Sequence, residues 1–359
     1  MILFACTVVS VFVTAASGDK EPFFSKAALL HGGQFTAALL AILVAHELGH
    51  FVASRIHRVE ASLPYFIPLP FLSPFGTMGA VIRMRGTITT RRALLDIGAS
   101  GPLAGLAVAL PMYVWGVSHS RLVAASQEGM VELGESIALK LLDRYAGPTI
   151  PTGMELELSP VAFAAWAGLF ITMINLLPVG QLDGGHVAYS LFGPRQDAIA
   201  RNVHRATLVF FFVNVVGFWS RDLQAGLRFE HLGRHVGNSV FWLVWFEMLA
   251  ILGSLSRRAN DERRPPEKLS ARTRAIATLG LVGLASVGQK QSSPVYWVVW
   301  FAALAGLLVM EWRVGCLSKH DLFDHPPTGA EPLGVGRAAI AVITLVVFAL
   351  LFMPTPIAM

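Results

Sequence analysis

His46, Glu47 and His50 are the residues whose types and spacing most directly suggest chemistry. They stand in the run Ala45-His46-Glu47-Leu48-Gly49-His50-Phe51. Histidines four residues apart on a helix project from one face, a single turn apart. Two imidazole nitrogens so placed suit a zinc ion, with Glu47 close enough to accept a proton from a water at the metal. The competing structural reading is a pair of histidines bonded to neighbouring carbonyls inside a helical bundle. Location weighs against it. Residues 35–45 carry no charge, and ionisable groups within an apolar span are costly and usually functional.

A catalytic zinc takes three protein ligands and keeps a position open. Asp183, Asp96 and His186 are the candidates for the third. Asp183 lies in Leu182-Asp183-Gly184-Gly185-His186, after an apolar stretch, where glycines let the backbone approach a metal. Asp96 follows two arginines at the start of another apolar stretch and would equally serve as a helix cap. His186 fits better behind the ligands than among them. Asn175 is an amide inside an apolar run; it would either bond a neighbouring helix or donate to a developing oxyanion.

The elements that must position these groups are membrane spans. The chain of 359 residues is 54% hydrophobic and 14% charged, against about 25% charged for a soluble domain. Its apolar residues fall in long runs rather than amphipathic stripes, so the expected fold is an all-α polytopic membrane protein. Spans are expected over 35–56, which holds the motif, and over 97–117, 160–177, 206–219, 240–255, 296–310 and 338–353. Residues 275–287 form a weaker candidate, for eight or nine spans in all. Residues 1–17 read as a retained first span rather than a signal peptide, because no lysine or arginine precedes them. Pro64-Tyr65-Phe66-Ile67-Pro68-Leu69-Pro70-Phe71-Leu72 is too rich in proline for a helix and too apolar for a solvated loop. Residues 76–85 then alternate like a strand. Both halves fit a re-entrant, β-hairpin-like loop after the HExxH span, lining a protein cavity. Gly98, Gly101-Pro102 and Gly105 open the next span and allow close approach of a neighbouring helix. The expected organisation is a first span and outer loop over 1–34, a catalytic membrane core over 35–190, and further spans over 191–359.

Loop charges orient this bundle. Arg55, Arg58, Arg83, Arg85, Arg91 and Arg92 face one acid, Glu60, in the loop after the motif. The excursion over 119–159 carries Arg121, Lys140 and Arg144 against Glu128, Glu132, Glu135, Asp143, Glu155 and Glu157. Basic bias places the first loop in the cytoplasm and the second outside. The spans ending near His50 and near Asp183 then run in the same direction, with the active site toward the cytoplasmic side. The net charge of +5 is accounted for by loop arginines, and no basic stripe with interleaved aromatics suggests nucleic acid as a partner. Cys6 and Cys316 form no CxxC pair, so neither a disulfide framework nor a cysteine zinc site is expected. No feature specifies an oligomeric state.

His46-Glu47-Leu48-Gly49-His50, followed by Asn175-Leu176-Leu177-Pro178-Val179-Gly180-Gln181-Leu182-Asp183-Gly184, resembles the site-2 protease family of intramembrane zinc metalloproteases, peptidase family M50. Gly76-Thr77-Met78-Gly79-Ala80 and Gly101-Pro102-Leu103-Ala104-Gly105 resemble it too, so the likeness covers residues 35–186. It implies one Zn2+ per chain held by His46, His50 and Asp183, with Glu47 as general base and acid and Asn175 contacting the substrate carbonyl. It also implies a strand near 76–85 that pairs with an unwound substrate by β-addition. The loop over 119–159 is too short for the PDZ domain that some members insert, and the chain is similar to the PDZ-less branch that includes chloroplast-type members. The implied partners are the lipid bilayer and a membrane-spanning protein substrate. The competing functions are a zinc transporter, which gives Glu47 no special role, and an inactive scaffold, against which the intact Glu47 argues.

Overall fold

Serine and threonine side chains set where many of the helices begin. Ser25, Thr90, Ser136, Ser159 and Ser270 each accept a hydrogen bond from the backbone N–H three residues on, satisfying a donor that the first turn leaves unpaired. The computed structural model describes residues 2–18, 22–70, 73–85, 88–125, 132–227, 229, 231–260, 268–289, 293–318 and 321–358. Met1, Phe71, Leu72 and Glu128, which enter the sequence readings above, lie outside them, as do the side chains of Arg85 and Glu132.

In chain order the elements are α1 (Ile2–Ser17), α2 (Lys26–Ile56), β1 (Glu60–Ala61), β2 (Tyr65–Pro68), β3 (Thr77–Val81), β4 (Met84–Arg85), α3 (Arg91–Ser118) and β5 (Arg121–Ala124). There follow β6 (Glu132–Leu133), α4 (Ile137–Ala146), β7 (Met154–Glu157), α5 (Pro160–Asn175), α6 (Asp183–Phe192) and α7 (Arg195–Gln224). The chain continues through α8 (Leu232–Asn260), α9 (Ala271–Gly288), α10 (Pro294–Val314), α11 (Val335–Leu351) and β8 (Ile357–Ala358). The architecture is a helical bundle with small antiparallel strand pairs. Among the described residues five helices are long and apolar enough to cross a membrane: α2, α3, α7, α8 over Leu232–Ser256, and α10. The helices α1, α5 and α11 are apolar but shorter. This pattern supports a multi-pass integral membrane protein.

The stretch between α2 and α3 forms one irregular antiparallel ribbon. Tyr65 pairs with Val81 and Phe66 with Ala80; the pairing resumes at Glu60 with Arg85 and Ala61 with Met84. Pro64 and Pro68 supply no ladder donors, and the register shifts between Phe66 and Pro68. Gly76 (φ +71°) turns the ribbon against α1, where Ser10 Oγ donates to its carbonyl at 2.5 Å. In the later excursion β5 pairs with β7, and Leu139 of α4 is buried.

Two groups of helices share the interior. In the first, α2 and α3 pack against each other and against α5, around Phe35, Leu39, Ile42, Leu106, Trp166 and Phe170. The second gathers α7 to α10 around Phe211, Trp242, Trp297 and Trp300. α11 returns to lie on α3 and α6, so the end of the chain contributes to the first group.

Candidate metal centre

α2 presents His46 and His50 to α3, and both are buried. Their fit depends on missing side chains. A β-carbon at Gly101 would run into the His50 ring, and one at Gly105 would sit 3.3 Å from the His46 Cβ. From the other side, Gly49 of α2 lies against the backbone of Ser100, where a β-carbon has no room. The glycine spacing on α3 therefore does what small residues do at close helix crossings: it lets the backbones approach.

His50 Nδ1 lies 2.7 Å from the carbonyl oxygen of Ile97. A carbonyl only accepts, so Nδ1 carries the proton, and Nε2 is the ring nitrogen turned toward the site. Nε2 of His50 lies 3.1 Å from Nε2 of His46 and 3.3 Å from Oδ2 of Asp183. The third edge, His46 Nε2 to Asp183 Oδ2, is 3.2 Å. Tetrahedral zinc with bonds of about 2.0–2.1 Å separates its ligand atoms by about 3.3 Å. A proton could serve one edge of this triangle of electron-pair donors, whereas one divalent cation serves all three. The donor set, two imidazoles and a carboxylate, is one that zinc accepts.

Asp183 reaches the triangle through a break in the helical run rather than along one continuous helix. α5 ends at Asn175, residues 176–182 form turns, and Asp183 opens α6. Gly180 takes φ +54° in the turn. Gly184 and Gly185 seat the first turn of α6 against the carbonyls of Leu176 and Gly180, leaving no space for a β-carbon at either position. The two glycines thus set where the carboxylate stands.

Glu47 is buried on the same turn of α2 and within Coulombic reach of His46, His50 and Asp183. Asn175 Nδ2 stands 3.5 Å from His46 Nε2, at the long limit of a hydrogen bond, so this amide borders the triangle without being tied up by it.

The two other candidates for the third ligand are engaged elsewhere. Asp96 accepts from Arg337 through Nη2 at 2.8 Å and Nε at 3.0 Å, and lies 2.8 Å from His57 Nε2. It does not cap its helix, because Thr90 does. His186 stands behind the site, with Nδ1 2.8 Å from Nε2 of His325. His325 lies in the loop before α11; burial pushes its imidazole below the ordinary histidine range, so the ring is neutral at pH 7. Its Nδ1 donates to the Pro326 carbonyl at 2.7 Å, which leaves its Nε2 to accept from His186. Sequence reasoning gave Arg337 and His325 no role at the site. A histidine and an arginine near the start of a late apolar run were the available signal, without anything to show which helix they would meet.

The site lies within a stretch that matches a known family. Residues 34–217 match the family model described as Peptidase family M50. The chain is 31% identical over 184 residues to the probable zinc metalloprotease EGY2, chloroplastic, of Arabidopsis thaliana, which covers 50% of this chain and 33% of that protein. It is 35% identical over 161 residues to the probable zinc metalloprotease EGY1, chloroplastic, of the same plant, covering 43% of this chain and 29% of that one. The corresponding Oryza sativa subsp. japonica EGY1 is likewise 35% identical over 161 residues, 43% of this chain and 27% of the relative. The chain therefore spans about a third or less of the length of these relatives. No solved structure matches it. With the family match covering half of its length, and with a buried His-His-Asp cluster inside that match, this chain belongs to peptidase family M50, a family of zinc metalloproteases.

Proposed function

We propose that the chain is a zinc-dependent endopeptidase that cuts membrane-spanning segments of other proteins. The observation that carries this reading is the triangle of His46, His50 and Asp183 donor atoms, closed to 3.1–3.3 Å within a bundle of apolar helices and bordered by Glu47. One Zn2+ held by those three residues would supply Lewis acidity, making water acidic near neutral pH and polarising a peptide carbonyl. Glu47 accepts the proton of the attacking water and returns it to the leaving amine. Asn175 offers its amide to the substrate carbonyl oxygen as charge develops there. His50, tied to Ile97, keeps its lone-pair nitrogen turned inward.

A substrate in the bilayer hides its carbonyls in its own helix, so it must unwind locally, and low helix propensity near the cut favours cleavage. The ribbon formed by β1 to β4 supports a re-entrant loop that offers a strand edge to the unwound segment. The arginine-rich loop between α2 and α3 supports a cytoplasmic position for this end of the site. Residues 35–190 would form the catalytic membrane core, with 1–34 preceding it and 191–359 supplying the C-terminal spans.

The test is reconstitution of the full chain in liposomes with a single-span candidate substrate, beside Glu47→Gln. We expect wild type to cut within the span. Glu47→Gln should keep its zinc and lose at least about 100-fold in rate, the low end of what a positioned general base contributes. Equal cleavage by the variant at equal zinc content would sink the peptidase mechanism.

A further inference from the structure

Residues 322–337, running from the loop after α10 into the first turn of α11, fall outside the family match yet are stitched to the two elements that frame the candidate metal centre. On the α3 side, Gly329 N–H donates to Thr89 O at 2.9 Å, and Glu331 Oε1 accepts from the Arg91 N–H at 2.6 Å. Arg337 holds Asp96, and Leu333 packs with Leu95, Ala99 and Val187. On the α6 side, beside the packing of Leu333 on Val187, the polar contact is His325. Its Nε2 accepts from His186 Nδ1 at 2.8 Å and its ring stacks on Tyr189 with centroids 4.2 Å apart, while its backbone N–H donates to Asp197 Oδ1 of the neighbouring α7 at 3.1 Å.

α6 has ten residues, too few to hold a position by its own helical stability. His186 sits three residues after Asp183, one turn along the same face. It is pressed between α3, where a β-carbon at Gly98 would come within 2.8 Å of its Cβ, and His325. From these contacts we propose that His325 is a positioning residue for the metal centre: it fixes His186, and through the first turn of α6 sets the Asp183 carboxylate in register with His46 and His50. This rests on the zinc-peptidase reading. Without the acceptor, the buried His186 N–H is left unpaired and the first turn of α6 loses one of the contacts that hold it, which loosens a ligand that must hold its place to bind a metal tightly.

The test is zinc retention by the purified full chain against a graded chelator, with no substrate present. Four forms are compared: wild type, His325→Ala, His325→Gln, and His235→Ala, which removes a buried histidine of α8 bonded to Asp222 at 2.8 Å. His325→Ala should weaken zinc binding by about tenfold, the low end for residues that orient a metal site from outside. His325→Gln, whose amide oxygen still accepts from His186, should restore most of it, and His235→Ala should match wild type. Unchanged affinity in His325→Ala, or an equal loss in His235→Ala, overturns the positioning role while leaving the peptidase reading intact. A wild-type chain that binds no zinc overturns both.

Discussion

The candidate metal centre between α2, α3 and α6 and the arginine cluster between α8, α9 and α10 both bury charge among apolar helices. They differ in the source of the balancing cation. In the second cluster Arg274, Glu247 and Glu311 are fully buried. Arg274 donates to both Glu311 oxygens at 2.7 and 3.1 Å and to Ser254 Oγ at 2.9 Å, while Glu247 lies 3.9 Å from its Nε. Here the protein carries its own cation, and three helices are locked to one guanidinium. At the metal centre no lysine or arginine approaches His46, His50 or Asp183 at ion-pair distance among the described residues. Buried charge in an apolar medium must be paired. A cluster that includes its counter-ion serves architecture; one that converges donor atoms without a counter-ion has room for a ligand.

Loss of metal should show the largest contrast. Asp183→Ala and His50→Ala should each reduce zinc from one per chain to a small fraction, read by metal analysis of the purified protein, and abolish cleavage. Both should leave the α8–α10 cluster in place. If Asp183→Ala keeps stoichiometric zinc and full activity, the contrast is wrong at its centre. Arg274→Met should do the reverse. It strands two carboxylates in the bundle and should destabilise it by about 3–5 kcal/mol in denaturant unfolding, with zinc stoichiometry retained in the folded fraction. Replacing the cluster as a whole, Arg274→Met with Glu247→Leu and Glu311→Leu, should recover most of that loss. Failure to recover it would mean that the cluster does more than hold helices together.

Gly101→Ala probes the crossing itself. Its β-carbon meets the His50 ring, so α2 and α3 must separate, at a cost of about 1–3 kcal/mol in stability and with weaker zinc binding. The same change at Gly280 of α9, where a β-carbon meets nothing within 4 Å, should be tolerated. The smallest effect is expected at Asp96. Its partner Arg337 is more than a third exposed, so Asp96→Asn should cost no more than about 1 kcal/mol and leave the zinc content at wild-type level. Loss of zinc there would return Asp96 to the ligand set.

Local patterns made much of this legible beforehand. The uncharged run before His46 marked α2 as a span, though the helix begins earlier, at Lys26, because Ser25 caps it. Glycine and proline marked the ribbon between α2 and α3 as neither helix nor solvated loop, and its pairing follows from the turn at Gly76. The break after Asn175 was less visible, since an apolar run ending in glycines reads equally as a frayed span or as a turn into a new helix.

The sequence by itself determined the chemistry available: two histidines and a glutamate at helical spacing, an Asp-Gly-Gly run, and spans apolar enough to hold them in a bilayer. Those are local properties, set by side-chain type and by periodicity along a single element. Tertiary structure alone decided which carboxylate meets the histidines. Asp96 and Asp183 are both acids at the start of a helix, and only the packing sends Asp96 to Arg337 and Asp183 to His46 and His50. It also brought His325, 139 residues away in the chain, onto His186. Partner choice at that separation depends on how close the backbones can come, which the glycines permit and no stretch read alone can specify.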